Sequence, residues 1–375
     1  MNADGLKIEK VETIPLRMAL SRTFKGSNYF MTHRCTIITR VYTSEGIIGE
    51  CYNGDEYETQ TEIINIIHQE IEPLIVGMDA AKVGRCWEAM LKPTYNILRN
   101  RGLAIQAQAC VDSAIWDAIG KALKMPLHRL WGGYRDELPV ICIAGYYEEG
   151  KTLADLGREM EELRANGYAG CKFKVGGLTP KEDAERVRVA RAAAGEDFVL
   201  SVDANQGWSA RDAIEFAKEI EDCNIRWFEE PCRWYDDRRS MAHVRSVTGI
   251  PIAAGQSEMS RNGCRDLIMD GAIDVCNFDA SWGGGPSEWL RVAALAKCFS
   301  VEMAHHEEPQ IASFLLAAIT NGTYLETFHP DRDPLFYKLV ENRSEFINGM
   351  YALNNLPGFG LELDKKVIDK YRTDR

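Results

Sequence analysis

Apolar and polar positions alternate along the first fifty residues. The segments TIITRVYT and GIIGECY are β-branched, change face from residue to residue, and are separated by a turn at Ser44-Glu45, so 6–50 is expected to form strands. The period then lengthens. TQTEIINIIHQEIEPLI and AIQAQACVDSAIWDAIGKAL carry apolar residues three and four apart, so 58–124 is expected to be helical. Strands followed by helices predict a segregated α+β domain, ending near Leu130-Trp131-Gly132-Gly133.

From Leu138 onward short apolar strands alternate with amphipathic helices. Strands are expected at 139–145, 169–175, 198–203, 225–229, 251–256, 273–278, 299–304 and 323–327, with helices such as 184–194, 210–220 and 288–297 between them. Eight strands with intervening helices predict a closed parallel barrel of the (β/α)8 type. An open doubly wound sheet is the alternative, weakened because no GxGxxG follows the first strand. Residues 331–375 lack the alternation and are expected to pack back on the N-terminal domain. The expected organisation is 1–130, 131–330 and 331–375.

Length and composition narrow the function classes. A chain of 375 residues suits two domains, or a barrel with an addition. Against 44 Lys and Arg stand 56 Asp and Glu, and a net charge of −12 argues against a nucleic-acid partner. No apolar run reaches the length of a membrane span, and the N-terminus shows no secretory h-region. The 11 cysteines form no CxxC pair, and Cys35, Cys142, Cys171 and Cys276 lie in apolar segments. This pattern predicts reduced core thiols and a cytoplasmic protein.

A barrel of this kind carries its chemistry at the C-terminal ends of its strands. The predicted strands end in Lys172-Phe173-Lys174, Asp203-Ala204-Asn205, Glu229-Glu230-Pro231, Gly255-Gln256-Ser257-Glu258, Asp279, His305-His306 and Glu326. Asp203, Glu229 and an oxygen donor from the fifth strand suit Mg²⁺, with Mn²⁺ as the alternative. Lys172 and Lys174 share one strand face, and two adjacent ammonium groups are expected to lower each other's proton affinity, making a lysine base feasible. Asp279 is placed to orient His306 for proton transfer, with His305 pointing the other way.

At these residues the sequence resembles the enolase superfamily, specifically its mandelate racemase subgroup. The resemblance runs from Asp112-Ser-Ala-Ile-Trp-Asp-Ala-Ile-Gly-Lys121 and Leu130-Trp-Gly-Gly133 through KFK, DAN, FEEP, Asp279 with Gly283-Gly284-Gly285, His306 and Glu326. It implies an α/β fold: a modified (β/α)7β TIM-type barrel under an α+β capping domain, with cap loops near 16–32 and 51–57 closing the barrel. It implies abstraction of the proton alpha to a carboxylate to give a Mg²⁺-stabilised enediolate. By position, Asp203 and Glu229 are implied metal ligands, and Lys174 an acid or base tuned by Lys172. His306 with Asp279 is implied on the opposite face, and Asn205 and Glu326 as substrate contacts.

The third ligand of the subgroup is usually a Glu where this chain has Gln256. If the segment stays extended, Glu258 faces the same side. Glu258 is preferred over the Gln256 amide, although a related glucarate dehydratase group uses an amide there. Dehydration of a sugar acid to a 2-keto-3-deoxy acid is the expected reaction. Racemisation, epimerisation or cycloisomerisation through the same enediolate is the alternative, and a non-catalytic homologue the second alternative. Ser21, Arg22, Thr23, Lys25, Tyr29 and His33 are candidate cap contacts to the substrate. A homo-oligomer is expected.

Overall fold

The computed structural model describes residues 5–53 and 58–374. Three antiparallel strands open the chain: β1 (Ile8–Lys25), β2 (Phe30–Thr43) and β3 (Ile48–Asn53), hydrogen-bonded in that order. Ile8, Val11, Ile37 and Val41 of this sheet pack on Ala107, Val111, Ala114 and Ala118 of the helix Arg101–Leu123. Ile37 and Val41 are four apart on one strand face, an irregularity between Ile8 and Lys10 brings Ile8 and Val11 to the same side, and the helix residues recur at three and four, so each element presents one apolar face to the other. Asn100 caps the helix by accepting from the Gly102 amide at 3.0 Å. The helix rides on the backbone of β3: a Cβ at Gly49 would lie 2.0 Å from the Ala114 carbonyl oxygen.

The barrel is built from β4 (Glu137–Ala144), β5 (Gly170–Lys174), β6 (Val199–Asp203), β7 (Phe228–Glu229), β8 (Ile252–Ala254), β9 (Val275–Cys276), β10 (Glu302–Met303) and β11 (Leu325–Phe328). They pair in parallel in chain order from β4 to β10, and β11 returns to β4. The seam between β10 and β11 is closed by Met303, which donates to the Asn321 carbonyl at 2.7 Å and accepts from the Thr323 amide at 2.8 Å. Seven helices, from Leu153–Ala165 to Pro309–Ala318, cover the outside, one after each of the first seven strands. The helix Pro180–Ala194 starts earlier than its apolar period indicates, because Thr179 and Glu182 form a reciprocal capping box.

Several barrel ladders are shorter than the apolar runs that predict them. The chain leaves the extended conformation just beyond the ladder, with positive φ at Asn205 (42°), Glu230 (38°), Gly255 (140°) and Glu307 (49°). Asn205, Glu230, Gln256 and Glu307, at or beside these turns, line the mouth.

Beyond the barrel, the helices Pro334–Leu339 and Lys365–Tyr371 lie against Ile14, Leu16 and Ile38 of the antiparallel sheet. A hairpin of Phe346–Ile347 and Met350–Ala352 pairs with the start of β4. All 11 cysteines are free thiols and ten are buried. Among the described residues, no helix is long and apolar enough to cross a membrane.

The helix Arg101–Leu123 also docks on the barrel. Asp112 accepts from the Ser287 amide at 2.9 Å and from its hydroxyl at 2.8 Å, and Trp116 donates to the same hydroxyl at 2.9 Å. Trp87 donates to the Gly284 carbonyl at 2.8 Å. Gly285, at φ 88°, leaves room for this contact, since a Cβ there would meet the Asp112 carboxyl at 2.5 Å. Burial pushes Asp112 up to about 7, against the bonds from Ser287. Replacing Asp112 by Ala strands two buried donors of Ser287. Chemical denaturation should show a loss of about 2 kcal/mol.

Candidate active site

Lys172 and Lys174 point into the barrel mouth, whereas Cys171 and Phe173 join the apolar layer under the helices. Lys174 Nζ lies 2.6 Å from Asp203 Oδ2 and 3.1 Å from Asn205 Oδ1. Lys172 Nζ lies 2.8 Å from Glu229 Oε1, 2.8 Å from Glu326 and 4.0 Å from Asp203. Asp203 and Glu229 face each other in the β6–β7 register, and Trp227 holds the second Glu229 oxygen at 3.1 Å. All five charged groups are buried.

This arrangement corrects the expectation of a lysine with lowered proton affinity. Burial does oppose the charge, but the carboxylates outweigh both it and the neighbouring ammonium. Glu229, Glu326 and Asp203 hold Lys172, and Asp203 holds Lys174, above the ordinary lysine range. Two residues on one strand show the repulsion, but the compensating groups come from three other strands. The carboxyls divide the cost of burial. Asp203 stays below its ordinary range because Lys174 and Lys172 overcome its desolvation, whereas burial pushes Glu229 up to about 8.

On the other side of the mouth, His306 Nδ1 lies 2.9 Å from Asp279 Oδ2. This bond fixes the ring and leaves Nε2 for the cavity. Burial, reinforced by Lys172 and Lys174, pushes His306 well below the ordinary histidine range. His305 turns the opposite way: its Nδ1 bonds the His306 carbonyl at 2.8 Å and its Nε2 accepts from the Ala280 amide at 3.0 Å. The Trp282 ring packs 5.1 Å from His306.

Gln256 and Glu258 part company. Gly255 at φ 140° and a turn from its carbonyl to the Glu258 amide (3.0 Å) end the extended run. Gln256 stays at the mouth, donating to Glu230 at 3.0 Å and accepting from Asn277 at 3.2 Å. Glu258 points outward, toward Asp237, Arg238 and Asp266 on the flank. The preference for Glu258 as third ligand is therefore corrected, because it required an unbroken strand.

Asp203, Glu229 and Gln256 supply two carboxylates and one amide oxygen from three neighbouring strands, the hard donors that suit an ion of the Mg²⁺ type. Among the described residues, no group of three or more His, Cys, Asp and Glu is arranged for a metal.

The mouth opens into a cavity of about 730 Å³. Its barrel wall includes Asn205, Gln256 and His306, and its cap wall includes Arg17, Tyr29, His33 and Arg34. The turn between β1 and β2 docks on the mouth: Ser27 donates to the Ala204 carbonyl at 2.7 Å and Asn28 to the Asn205 carbonyl at 3.1 Å. Lys174 Nζ sits 5.6 Å from the ring centres of both Tyr29 and Tyr146. Of the cap candidates, Tyr29 and His33 line this cavity. Ser21, Arg22 and Thr23 line a separate flank cavity of about 670 Å³, and Lys25 pairs through its backbone with Tyr147. Most of the expected loop 51–57, residues 54–57, lies outside the described residues.

Tyr146, Trp227, Glu230, Trp282 and Glu307 belong to the site but carry no sequence expectation of their own. Glu230 and Glu307 adjoin recognised residues, and both turn inward only through positive φ. Glu230 accepts from Gln206, Gln256 and Ser257, and burial pushes it up to about 7.

A cap helix and sheet closed over a (β/α)7β barrel, with lysines, carboxylates and a histidine at its mouth, define a class that sequence comparison identifies independently. The family model described as mandelate racemase / muconate lactonizing enzyme, N-terminal domain, matches residues 9–132, and the enolase C-terminal domain-like model matches residues 155–367. The chain belongs to the mandelate racemase subgroup of the enolase superfamily.

Its relatives span several reactions. It is 29% identical to arabinonate dehydratase of Saccharolobus solfataricus over 90% of each chain. It is 27% identical to D-galactarolactone cycloisomerase of Agrobacterium fabrum over 98% of this chain and 99% of that one. Other curated relatives include further sugar-acid dehydratases and a racemase. A crystal structure of a mandelate racemase/muconate lactonizing enzyme from a marine actinobacterium, in complex with magnesium, superposes with a TM-score of 0.93. It shares 50% identity over 99% of this chain and 100% of the other.

The buried ion pairs make the site part of the fold's stability. Lys172→Met removes the only short cation contact of Glu229 and Glu326 among the described residues. Urea unfolding of this variant should show a loss of about 3 kcal/mol.

Proposed function

We propose that the chain is a Mg²⁺-dependent dehydratase of a sugar acid, releasing a 2-keto-3-deoxy acid. The observation that carries this reading is geometric: His306 lines the cavity with Nδ1 on Asp279, and Lys174, paired with Asp203 at 2.6 Å, bonds Asn205 of the same cavity wall at 3.1 Å. A neutral imidazole accepts a proton from carbon, and the resulting imidazolium, backed by Asp279, donates one to a leaving oxygen.

His306 Nε2 takes the proton alpha to the carboxylate, and the C–H electron pair becomes the enediolate. Collapse of the enediolate expels the beta hydroxyl, which leaves as water with the proton from His306, and the enol tautomerises to the 2-keto acid. Lys172 and Lys174 place fixed positive charge beside the substrate carboxylate. Asn205 and Glu326, held by Lys174 and Lys172, orient the substrate. Asp203, Glu229 and Gln256 would hold Mg²⁺, with Mn²⁺ as the alternative. When bound, the ion supplies further positive charge to the developing oxyanion. The sugar-acid dehydratases among the relatives support the reaction class. Lys174 and His306 acting in turn also fit a racemase or cycloisomerase, which use the same first step.

The test is incubation with Mg²⁺ and a panel of mono- and diacid sugars in D₂O. A 2-keto acid marks dehydration. Deuterium at the alpha carbon with the hydroxyl retained marks racemisation and would replace this reading. His306→Asn and Lys174→Ala should each abolish turnover in a folded protein, and normal turnover by the double variant refutes the assignment.

The acid limb of kcat/KM should lie below the ordinary histidine range. The base form of a depressed histidine persists as pH falls through neutrality and is lost only below its own pKa. Calorimetric titration should show weaker Mg²⁺ binding in Asp203→Asn, tighter binding in Gln256→Glu, and no change in Glu258→Gln.

A further inference from the structure

One charged side chain at the mouth has no part in the chemistry above. Glu307 follows His306 directly, and both it and Glu308 sit in the left-handed region at φ 49°. Neither is a glycine, and two consecutive residues in this region are a strained arrangement that the surroundings must hold. The strain brings Glu307 back over the cavity. Its Oε1 lies 3.4 Å from His306 Nε2, the ring atom that faces the substrate space. Its Oε2 lies 3.3 Å from Arg34 of β2 in the cap, and its backbone amide donates to Glu326 at 3.2 Å.

A carboxylate at 3.4 Å from the bare lone pair of a neutral ring makes no hydrogen bond. The same carboxylate becomes a partner once Nε2 carries a proton. The other groups around the ring are Asp279 on Nδ1, His305 behind it, and Lys172, Lys174 and Asp203 across the mouth. Only Asp279 and Asp203 among these favour the protonated ring. We infer that Glu307 is a positioning residue for His306: it holds the ring in its protonated state and ties that state to the closed cap through Arg34. The inference rests on His306 as the acid–base residue, but its test needs no substrate.

The experiment is ¹⁵N NMR of the Mg²⁺-loaded protein labelled at histidine, with His306 assigned by comparison with His306→Asn. Glu307→Gln should shift the Nε2 resonance of His306 and move its titration to lower pH, leaving His305 unchanged. Arg34→Gln, which releases the carboxylate from the cap, should perturb the same resonance. Glu307→Asp, with its shorter side chain, should restore part of the wild-type titration. An unchanged His306 resonance and titration in whichever of these variants folds overturns the inference. A sugar-acid panel that fails altogether would leave the NMR result standing, so the two readings fail separately. With an active substrate, Glu307→Gln should lower kcat more than it raises KM.

Discussion

The rest of the site depends on one constraint: two ammonium groups and three carboxyl groups share a volume closed to water. Lys172 and Lys174 cannot be buried unless Asp203, Glu229 and Glu326 are buried with them. Three acids against two cations leave one charge over, and burial raises both Glu229, to about 8, and Glu326. Burial, reinforced by the positive field of the same lysines, lowers the proton affinity of His306. The charge states of acid, base and ligand thus arise from a single local balance. A cation held between Asp203 and Glu229 would offset that surplus.

The cap is fixed to this mouth at two levels. Far from the chemistry, Asp112, Trp116 and Trp87 bond to the start of the helix Pro286–Cys298 and the glycine turn before it. At the mouth, Ser27 and Asn28 reach the backbone just beyond Asp203. Arg17, Tyr29, His33 and Arg34 are thereby held over the cavity.

Much of this is legible in the sequence, for physical reasons that also mark where legibility ends. Parallel strands with apolar interiors announce themselves, and their C-terminal ends share one rim of the barrel. Lys172, Lys174, Asp203, Glu229, Asp279, His306 and Glu326 can therefore be gathered without coordinates. Glu258 is misplaced by such reasoning because alternation holds only while the strand does, and Gly255 ends it. The lysine charge states are misjudged because two neighbours on one strand are visible and compensation from other strands is not. Glu307 escapes notice because nothing local announces a left-handed glutamate. Of the cap candidates, only Tyr29 and His33 reach the cavity, since β1 and β2 shift register between Ala19 and Phe24 and the tip turns accordingly.

The left-handed turns at Asn205, Glu230, Gly255 and Glu307 have an evolutionary consequence. Each lies beyond the end of its strand, whereas Lys172, Lys174, Asp203, Glu229 and Glu326 sit within the ladder. Selection can exchange a contact carried on one of these turns without disturbing the ladder. This accounts for a fold kept across relatives that share little more than a quarter of their residues with this chain while differing in the reaction they perform.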